Sequence, residues 1–212
     1  MQTNFSPNMI KTYNTCPKKY YYQYIEHVTM PKSALPFEKG KKIHALANYY
    51  LQGIKIDRLE TALDDYELKL WNLLKNNEYY NKDYLKSEFS LYCRLGDYWL
   101  GGRLDAVVYE GDNYFILDYK TGSIPKNAES DPQTMVYCLC LDRYLKNYNS
   151  ISFVYINLKN DTNYKIQFND ELKKEYTKNL IKTCDIIKAN SQYKPNPQAC
   201  LLCEYAKLCH AK

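Results

Sequence analysis

Three side chains carry the strongest chemical signal in the sequence. Asp105 closes the run Gly102-Arg103-Leu104-Asp105, and Asp118 and Lys120 lie in Ile116-Leu117-Asp118-Tyr119-Lys120-Thr121-Gly122. The two segments are strand-like and are separated by Gly111-Asp112-Asn113, a turn signal, so they predict adjacent antiparallel strands. Paired in this way, the two carboxylates reach one end of a sheet, where they repel strongly unless a cation sits between them. Oxygen ligands with open positions suit Mg²⁺ or Mn²⁺. Lys120, two residues after Asp118, leaves the strand on the same face. An ammonium group beside a metal can orient an attacking water and stabilise charge developing at phosphorus. These are the parts needed to hydrolyse a phosphodiester. Asp-x-Lys alone is commonly a surface ion pair, but the Val, Ile and Leu around it place this one against a buried strand.

The eight cysteines form a second set. Cys93, Cys138, Cys140 and Cys184 lie in apolar, periodic segments, where a free cysteine behaves as a small buried hydrophobe. Cys16, Cys200, Cys203 and Cys209 lie near the two chain ends beside Pro, Asn and Lys. Four thiolates can hold Zn²⁺ or an iron–sulfur cluster, and spacing does not choose between them, although zinc is the commoner occupant of a bare four-cysteine set. His210 could replace Cys209 in a zinc site.

The elements that must position these groups follow from periodicity and turn chemistry. Ser6-Pro7 reads as a helix start, with the helix running to about Thr15. A loop with Pro31 and Pro36 follows, then a helix from Phe37 to Leu51 that carries His44. Leu59, Leu63, Tyr66, Leu70 and Leu73 predict a second helix over Arg58 to Leu74. Strands are expected at Leu85–Leu95, Tyr98–Tyr109 and Tyr114–Tyr119, an antiparallel meander joined by turns at Gly96-Asp97 and Gly111-Asp112-Asn113. Asp131-Pro132 opens a helix to about Tyr148. Ile151–Leu158 and Tyr164–Phe168 read as two more strands joined at Asn160-Asp161, before a long helix from Asp170 to Asn190. The class is α/β or α+β, a central mixed sheet flanked by helices.

Length favours one domain over the 212 residues. It divides into a helical region at 1–80, a core at 81–170, and a C-terminal helix with a cysteine-rich tail at 171–212. The opening MQTNFSPNMI lacks the basic start and apolar stretch of a signal peptide, and no apolar run approaches a membrane span. A soluble, cytoplasmic protein without membrane partners is expected. The net charge of +5 is unevenly placed: residues 1–56 hold eight lysines against only Glu26 and Glu38. A basic first quarter suits a phosphate-binding surface or a solvated lysine face. The 24 tyrosines accompany abundant Asn, Lys and Ile, all encoded by A/T-rich codons, so their number says little about nucleic acid.

The run GGRLDAVVYEGDNYFILDYKTG, followed by Gln133-x-x-x-Tyr137, resembles the PD-(D/E)XK nuclease superfamily. Within it the match is to the RecB-like branch, which includes the AddB nuclease domain and the CRISPR-associated exonuclease Cas-four. That branch has Gly-x-x-Asp as its first motif, and the resemblance spans Ser6 to Cys209. It implies a restriction-endonuclease-like core. It also implies Asp105 and Asp118 as metal ligands, Lys120 as the catalytic lysine, His44 as an upstream metal ligand and the Tyr119 carbonyl as a further ligand. Glu88 matches an upstream acidic position, Gln133 and Tyr137 match a motif that contacts DNA and organises the site, and Arg103 is a candidate phosphate contact. The segment Tyr13-Asn14-Thr15-Cys16-Pro17-Lys18-Lys19-Tyr20 and the C-terminal Cys-x2-Cys-x5-Cys are similar to the iron–sulfur members, which favours a 4Fe–4S cluster over zinc.

The resulting expectation is a Mg²⁺- or Mn²⁺-dependent deoxyribonuclease, an exonuclease acting on single-stranded DNA or DNA ends. Two alternatives are a CRISPR adaptation nuclease trimming DNA before integration and a non-catalytic iron–sulfur DNA-binding module. The complete set of His44, Asp105, Asp118 and Lys120 argues against the last. Partners would be DNA and a CRISPR integrase or a recombination or helicase protein, since no Gly-x4-Gly-Lys-Ser/Thr motif is present. Lysines 18, 19, 41 and 42 are expected on the approach to the metal.

Overall fold

The computed structural model describes residues 3–30 and 35–210, with side chains placed for 3–30 and 40–209. In chain order these residues form β1 (Asn4–Phe5), α1 (Pro7–Thr15), α2 (Pro17–Tyr20), a π-helical turn (Tyr21–Ile25), α3 (Leu35–Leu51), α4 (Asp57–Glu60) and α5 (Asp65–Lys75). There follow β2 (Asp83–Leu95), β3 (Tyr98–Glu110), β4 (Asn113–Lys120), α6 (Pro132–Tyr144), β5 (Ser150–Asn157), β6 (Thr162–Phe168), α7 (Asp170–Ala189) and α8 (Ala206–His210). Pro31 lies outside the described residues, as does the side chain of His210. Among the described residues no helix is long and apolar enough to cross a membrane.

The expected meander is present: β2 pairs antiparallel with β3, and β3 with β4. The sheet continues through β5, parallel to β4, and ends on β6, antiparallel to β5. It is therefore mixed, because the crossover between β4 and β5 runs through α6. β1 was not foreseen. It contributes two residues, pairing parallel with Trp99 and Leu100 of β3. On that edge of β3 the ladder to β4 begins only at Ala106, so residues 101–105 have no strand partner there. On its other edge β3 pairs with β2 along nearly its whole length.

Two hydrophobic layers clamp the sheet. On one face Ile116, Phe153 and Tyr155 pack with Ile10 of α1, Val136 to Leu141 of α6 and Leu180 and Cys184 of α7. On the other, Leu117, Tyr119, Val154 and Ile156 pack with Ile43 and Ala47 of α3 and Leu70, Trp71 and Leu74 of α5. Cys93, Cys138, Cys140 and Cys184 are buried in the first layer, as their apolar settings predict.

The single helix expected over 58–74 is two. Asp64 caps α5, accepting from the Glu67 backbone N–H while the Glu67 carboxylate accepts from the Asp64 N–H. That reciprocal cap outweighs the apolar spacing upstream, and Leu59 and Tyr66 are exposed. The helix expected to reach Tyr148 stops at Tyr144; the Tyr148 hydroxyl instead donates to Asp142 at 2.5 Å.

The chain ends meet. Asn190 donates to the Tyr13 hydroxyl at 2.6 Å, the Asn196 side chain donates to the Thr15 carbonyl at 2.9 Å, and the Tyr205 hydroxyl donates to the Val28 carbonyl at 2.8 Å. Tyr22 stacks on Tyr205, and Lys19 pairs with Glu204 at 2.9 Å.

Close approach of β2 to β3 requires Gly101. A Cβ there would sit 2.3 Å from the Leu91 carbonyl and 2.4 Å from the Tyr92 ring. Gly101→Ala should lower stability by about 1–3 kcal/mol, the cost of overpacking a site whose nearest neighbour is backbone. A chemical-denaturation midpoint equal to the parent's would contradict this packing.

Candidate active site

The register of β3 on β4 places Asp105 opposite Asp118, one rung past the last pair, Ala106 with Leu117. The strands part at that rung. The Asp105 carboxylate fills the fork, its Oδ2 accepting from the Tyr119 backbone N–H at 3.0 Å. Leu104 and Ala106, which would share a face in a regular strand, pack into opposite layers, so β3 also changes face at Asp105.

α3 brings His44 over the fork. Nδ1 donates to Asp105 Oδ1 at 3.1 Å, and Nε2 faces the Tyr119 carbonyl at 3.1 Å. Burial pushes the His44 pKa down, but the Asp105 hydrogen bond and charge, with the Asp118 charge and the Tyr119 carbonyl, more than offset this and leave it raised. Two acceptors on one imidazole are a cationic arrangement. Among the described residues, His44, Glu88 and Asp105 form the one group of three ligating side chains whose atoms all lie within 4.8 Å of one another. One imidazole, carboxylates and a main-chain carbonyl make a donor set that fits a divalent cation.

On the α6 side, Asp118 pairs with Lys120 through Oδ2 at 2.7 Å and accepts from the Gln133 side-chain amide at Oδ1. Burial, then repulsion from Asp105, pushes the Asp118 carboxyl up to about 6 despite the opposing effect of Lys120. Gln133 Oε1 in turn accepts from Lys120 at 3.5 Å and from Lys11 at 3.4 Å. Lys11, on α1, also pairs at 2.8 Å with Asp131, the N-cap of α6. Lys11 belongs to no motif, and its sequence offers only a lysine on a short helix.

Tyr137 and Glu88 complete the surroundings. The Tyr137 hydroxyl donates to the Arg103 carbonyl at 3.0 Å, and it approaches so closely that a Cβ on Gly102 would lie 2.9 Å away. Glu88 Oε2 pairs with Arg103 Nε at 2.6 Å. Glu88 has φ 47°, a left-handed conformation within a strand. Such a conformation costs a non-glycine residue about 1–3 kcal/mol and persists where surrounding structure enforces it.

Apart from Lys11 and Asp131, these groups line one cleft of ≈ 990 Å³, together with Gly40, Lys41, Asn48, Tyr49 and Thr121. Of the four lysines expected on the approach, only Lys41 lines it. Lys42 turns away to pair with buried Glu67 at 3.0 Å, Lys19 pairs with Glu204, and Lys18 lies over the rings of Tyr21 and Tyr22. The apolar positions of α3 and the aromatic run after Cys16 dictate these directions.

The second cysteine set also converges. Cys16, Cys200, Cys203 and Cys209 line one small cavity between the chain ends. Cys16 Sγ accepts from the backbone N–H groups of Lys19 and Asn196 at 3.5 and 3.3 Å. Burial, then the proximity of Cys16 and Cys200, raises the Cys209 thiol pKa. No three of these sulfurs lie within 4.8 Å of one another.

The profile of the PD-(D/E)XK nuclease superfamily matches residues 4–210. A curated relative, the CRISPR-associated exonuclease Cas4 of Francisella tularensis subsp. novicida (strain U112), is 26% identical over 96% of this chain and 92% of its own. A solved Eubacterium rectale protein with a provisional exonuclease name superposes with TM-score 0.61 at 10% identity, covering 97% of this chain and 88% of that one. That likeness is one of fold.

The backbone at Glu88 can be tested apart from its carboxylate. Glu88→Gly and Glu88→Ala both remove the carboxylate, but only glycine accepts a positive φ freely. The glycine variant should be more stable than the alanine variant by about 1 kcal/mol in denaturant unfolding with chelator present. The reverse order would show that residue 88 is not held left-handed.

Proposed function

The chain belongs to the PD-(D/E)XK nuclease superfamily and is a metal-dependent nuclease, and from that premise we propose an exonuclease that acts on single-stranded DNA or DNA ends with Mg²⁺ or Mn²⁺. The observation that carries the reading is the meeting of His44, Glu88 and Asp105 with the Asp118–Lys120 pair in one open polar cleft. His44, Asp105, Asp118 and the Tyr119 carbonyl are the proposed metal ligands, with Glu88 beside them. When bound, the cation supplies Lewis-acid activation of the scissile phosphate and lowers the pKa of a water.

The protein's own groups do the rest. Lys120, held between Asp118 and Gln133, presents a fixed ammonium beside the reacting phosphate. That charge needs no rearrangement as the transition state forms, which is where such a group contributes most. Gln133 spans Asp118, Lys120 and Lys11, so its amide orients both carboxylate and ammonium. Tyr137 braces the Arg103 backbone, and the role proposed for the Arg103 side chain is contact with a non-bridging phosphate oxygen.

A role in CRISPR adaptation, trimming DNA for an integrase partner, is favoured by the relative from Francisella, which aligns over nearly the whole of both chains. The cysteine cavity is proposed to hold a 4Fe–4S cluster. The likeness of the Cys16 segment and of the C-terminal Cys-x2-Cys-x5-Cys to the iron–sulfur members favours it over zinc. Backbone N–H donors to Cys16 suit a thiolate ligand, and the cluster's role here is to fasten the tail to α1.

Lys120→Ala, Asp105→Ala and Asp118→Ala should each lower DNA cleavage by about 10²-fold or more with the fold retained. Undiminished cleavage by purified Lys120→Ala would overturn the assignment. At limiting metal, activity should fall as pH drops through about 6, because protonation of Asp118 removes a ligand charge. Excess metal should move that midpoint lower, since the cation competes with the proton. A midpoint independent of metal concentration would exclude Asp118 as a ligand. Anaerobically purified protein should be brown, and the colour should be lost on Ser substitution of Cys16, Cys200, Cys203 or Cys209 but not of Cys184. Colourless protein with one zinc per chain would refute the cluster.

A further inference from the structure

The exposed face of the β2–β3 ribbon points to a binding site separate from the metal-ligating groups. In this antiparallel register Arg94 pairs with Trp99, Tyr92 with Gly101, and Ser90 with Arg103. Directly opposed residues share a face, and alternate rungs repeat on it. These three rungs therefore lie on one side, and the paired register skips Glu88 and Asp105, where β3 changes face. The 2.6 Å contact of Arg103 with Glu88 ties the Ser90–Arg103 rung to the catalytic cleft. The other side of the same stretch, including Tyr98, Leu100, Leu104, Leu91 and Cys93, is core.

The composition of this outer side is unusual for a solvated sheet. Tyr92 is 61% exposed and Trp99 is 50% exposed, whereas the chain's other tryptophan, Trp71, is fully buried. The Tyr92 ring lies across Gly101, where even a methyl group would collide with it, so one ring face rests on backbone and the other is open. Arg94 is fixed by its Nε donating to the Gly96 carbonyl at 3.0 Å. Tyr92 and Trp99 line a groove of ≈ 630 Å³ with Asn4, Phe5, Met9 and Gly101, and two further walls, Ser6 and Gly102, are also walls of the catalytic cleft. The groove and the cleft are thus continuous around the edge of β3 that lacks a strand partner.

We propose that Tyr92 and Trp99 form a stacking platform for bases of single-stranded nucleic acid whose backbone follows Arg103 into the catalytic cleft. Four residues along β3 separate the Gly101 rung from Asp105, about 13 Å, so the platform holds bases roughly two nucleotides from the reacting phosphate. Flat aromatic faces with interspersed arginine grip single strands without reading sequence. A duplex offers no free base faces, so the platform selects unpaired DNA. The inference rests on the nuclease reading and adds to it the side chains that grip the unpaired strand outside the cleft.

Binding can be measured without cleavage in a Lys120→Ala background with Mg²⁺, using fluorescence anisotropy of a labelled oligothymidylate. Trp99→Ala and Tyr92→Ala should each weaken binding by roughly 5- to 100-fold. Trp99→Phe and Tyr92→Phe should stay near the parent, and so should Tyr164→Ala, an exposed tyrosine on β6. An oligonucleotide with abasic sites should bind the parent as weakly as intact DNA binds Trp99→Ala, which in turn should not distinguish the two. Intact affinity in folded Trp99→Ala and Tyr92→Ala, or no binding by the parent, would overturn the platform. Intact affinity together with a change in sedimentation from dimer to monomer would assign the face to a second copy of this chain and equally overturn it. The nuclease reading fails separately, if the unsubstituted protein binds the oligonucleotide but does not cut it with Mn²⁺.

Discussion

Two carboxylates that repel each other are forced together by strand register, and the surrounding structure answers that charge. Asp105 and Asp118 cannot separate without breaking the pairing of β3 with β4, which fixes them on facing positions at the fork. The compensation comes from both layers of the fold. α3 delivers His44 from one face, α6 delivers Gln133 from the other, β4 supplies the Tyr119 N–H and Lys120. Each group also holds a neighbour, so removing one leaves a buried charge or amide without its partner. The raised Asp118 carboxyl is the residue of repulsion and burial that these contacts do not cancel, and a divalent cation supplies what remains.

The parts of this arrangement set by local chemistry were legible in the sequence. The meander showed because Gly96-Asp97 and Gly111-Asp112-Asn113 interrupt clean runs of strand formers, and α1 showed because Ser6-Pro7 is an unambiguous start. Spacing singles out Asp105, Asp118 and Lys120, family resemblance adds His44, Glu88, Gln133 and Tyr137, and all seven line one cleft. What escaped depends on tertiary context. A two-residue strand such as β1 has no periodicity to detect, and the capping box at Asp64 competes with an apolar pattern that reads equally well as one helix. The left-handed backbone at Glu88 is held by its neighbours against its own preference. The directions of the lysines depend on tertiary context in the same way. Charge counts cannot say that Lys42 turns to Glu67 while Lys11 reaches Asp131 and Gln133.

α1 links the two cysteine- and carboxylate-bearing regions. Its last turn leads into Cys16, whose sulfur accepts from Asn196, and its Tyr13 is held by Asn190. One face of the same helix sends Lys11 to the head of α6. Nine residues thus carry a direct mechanical connection from the tail to the amide that orients Asp118 and Lys120. Because α1 is short, its own helical stability is slight, and its position is set by these contacts and by the packing of Ile10 and Tyr13 in the core.

The separation of Cys16 from Asn196, 180 residues in the chain, has a consequence during biosynthesis. A nascent polypeptide emerging from the ribosome can pair β2, β3 and β4 early, since these neighbours are joined by tight turns. Cys16 must then wait for Asn196 and the cysteines that follow it. Closure at the chain ends consequently follows the pairing of the carboxylate-bearing strands: a chain interrupted before Asn196 can bring Asp105 and Asp118 together while the contacts of Thr15 and Cys16 with the tail are still unmade.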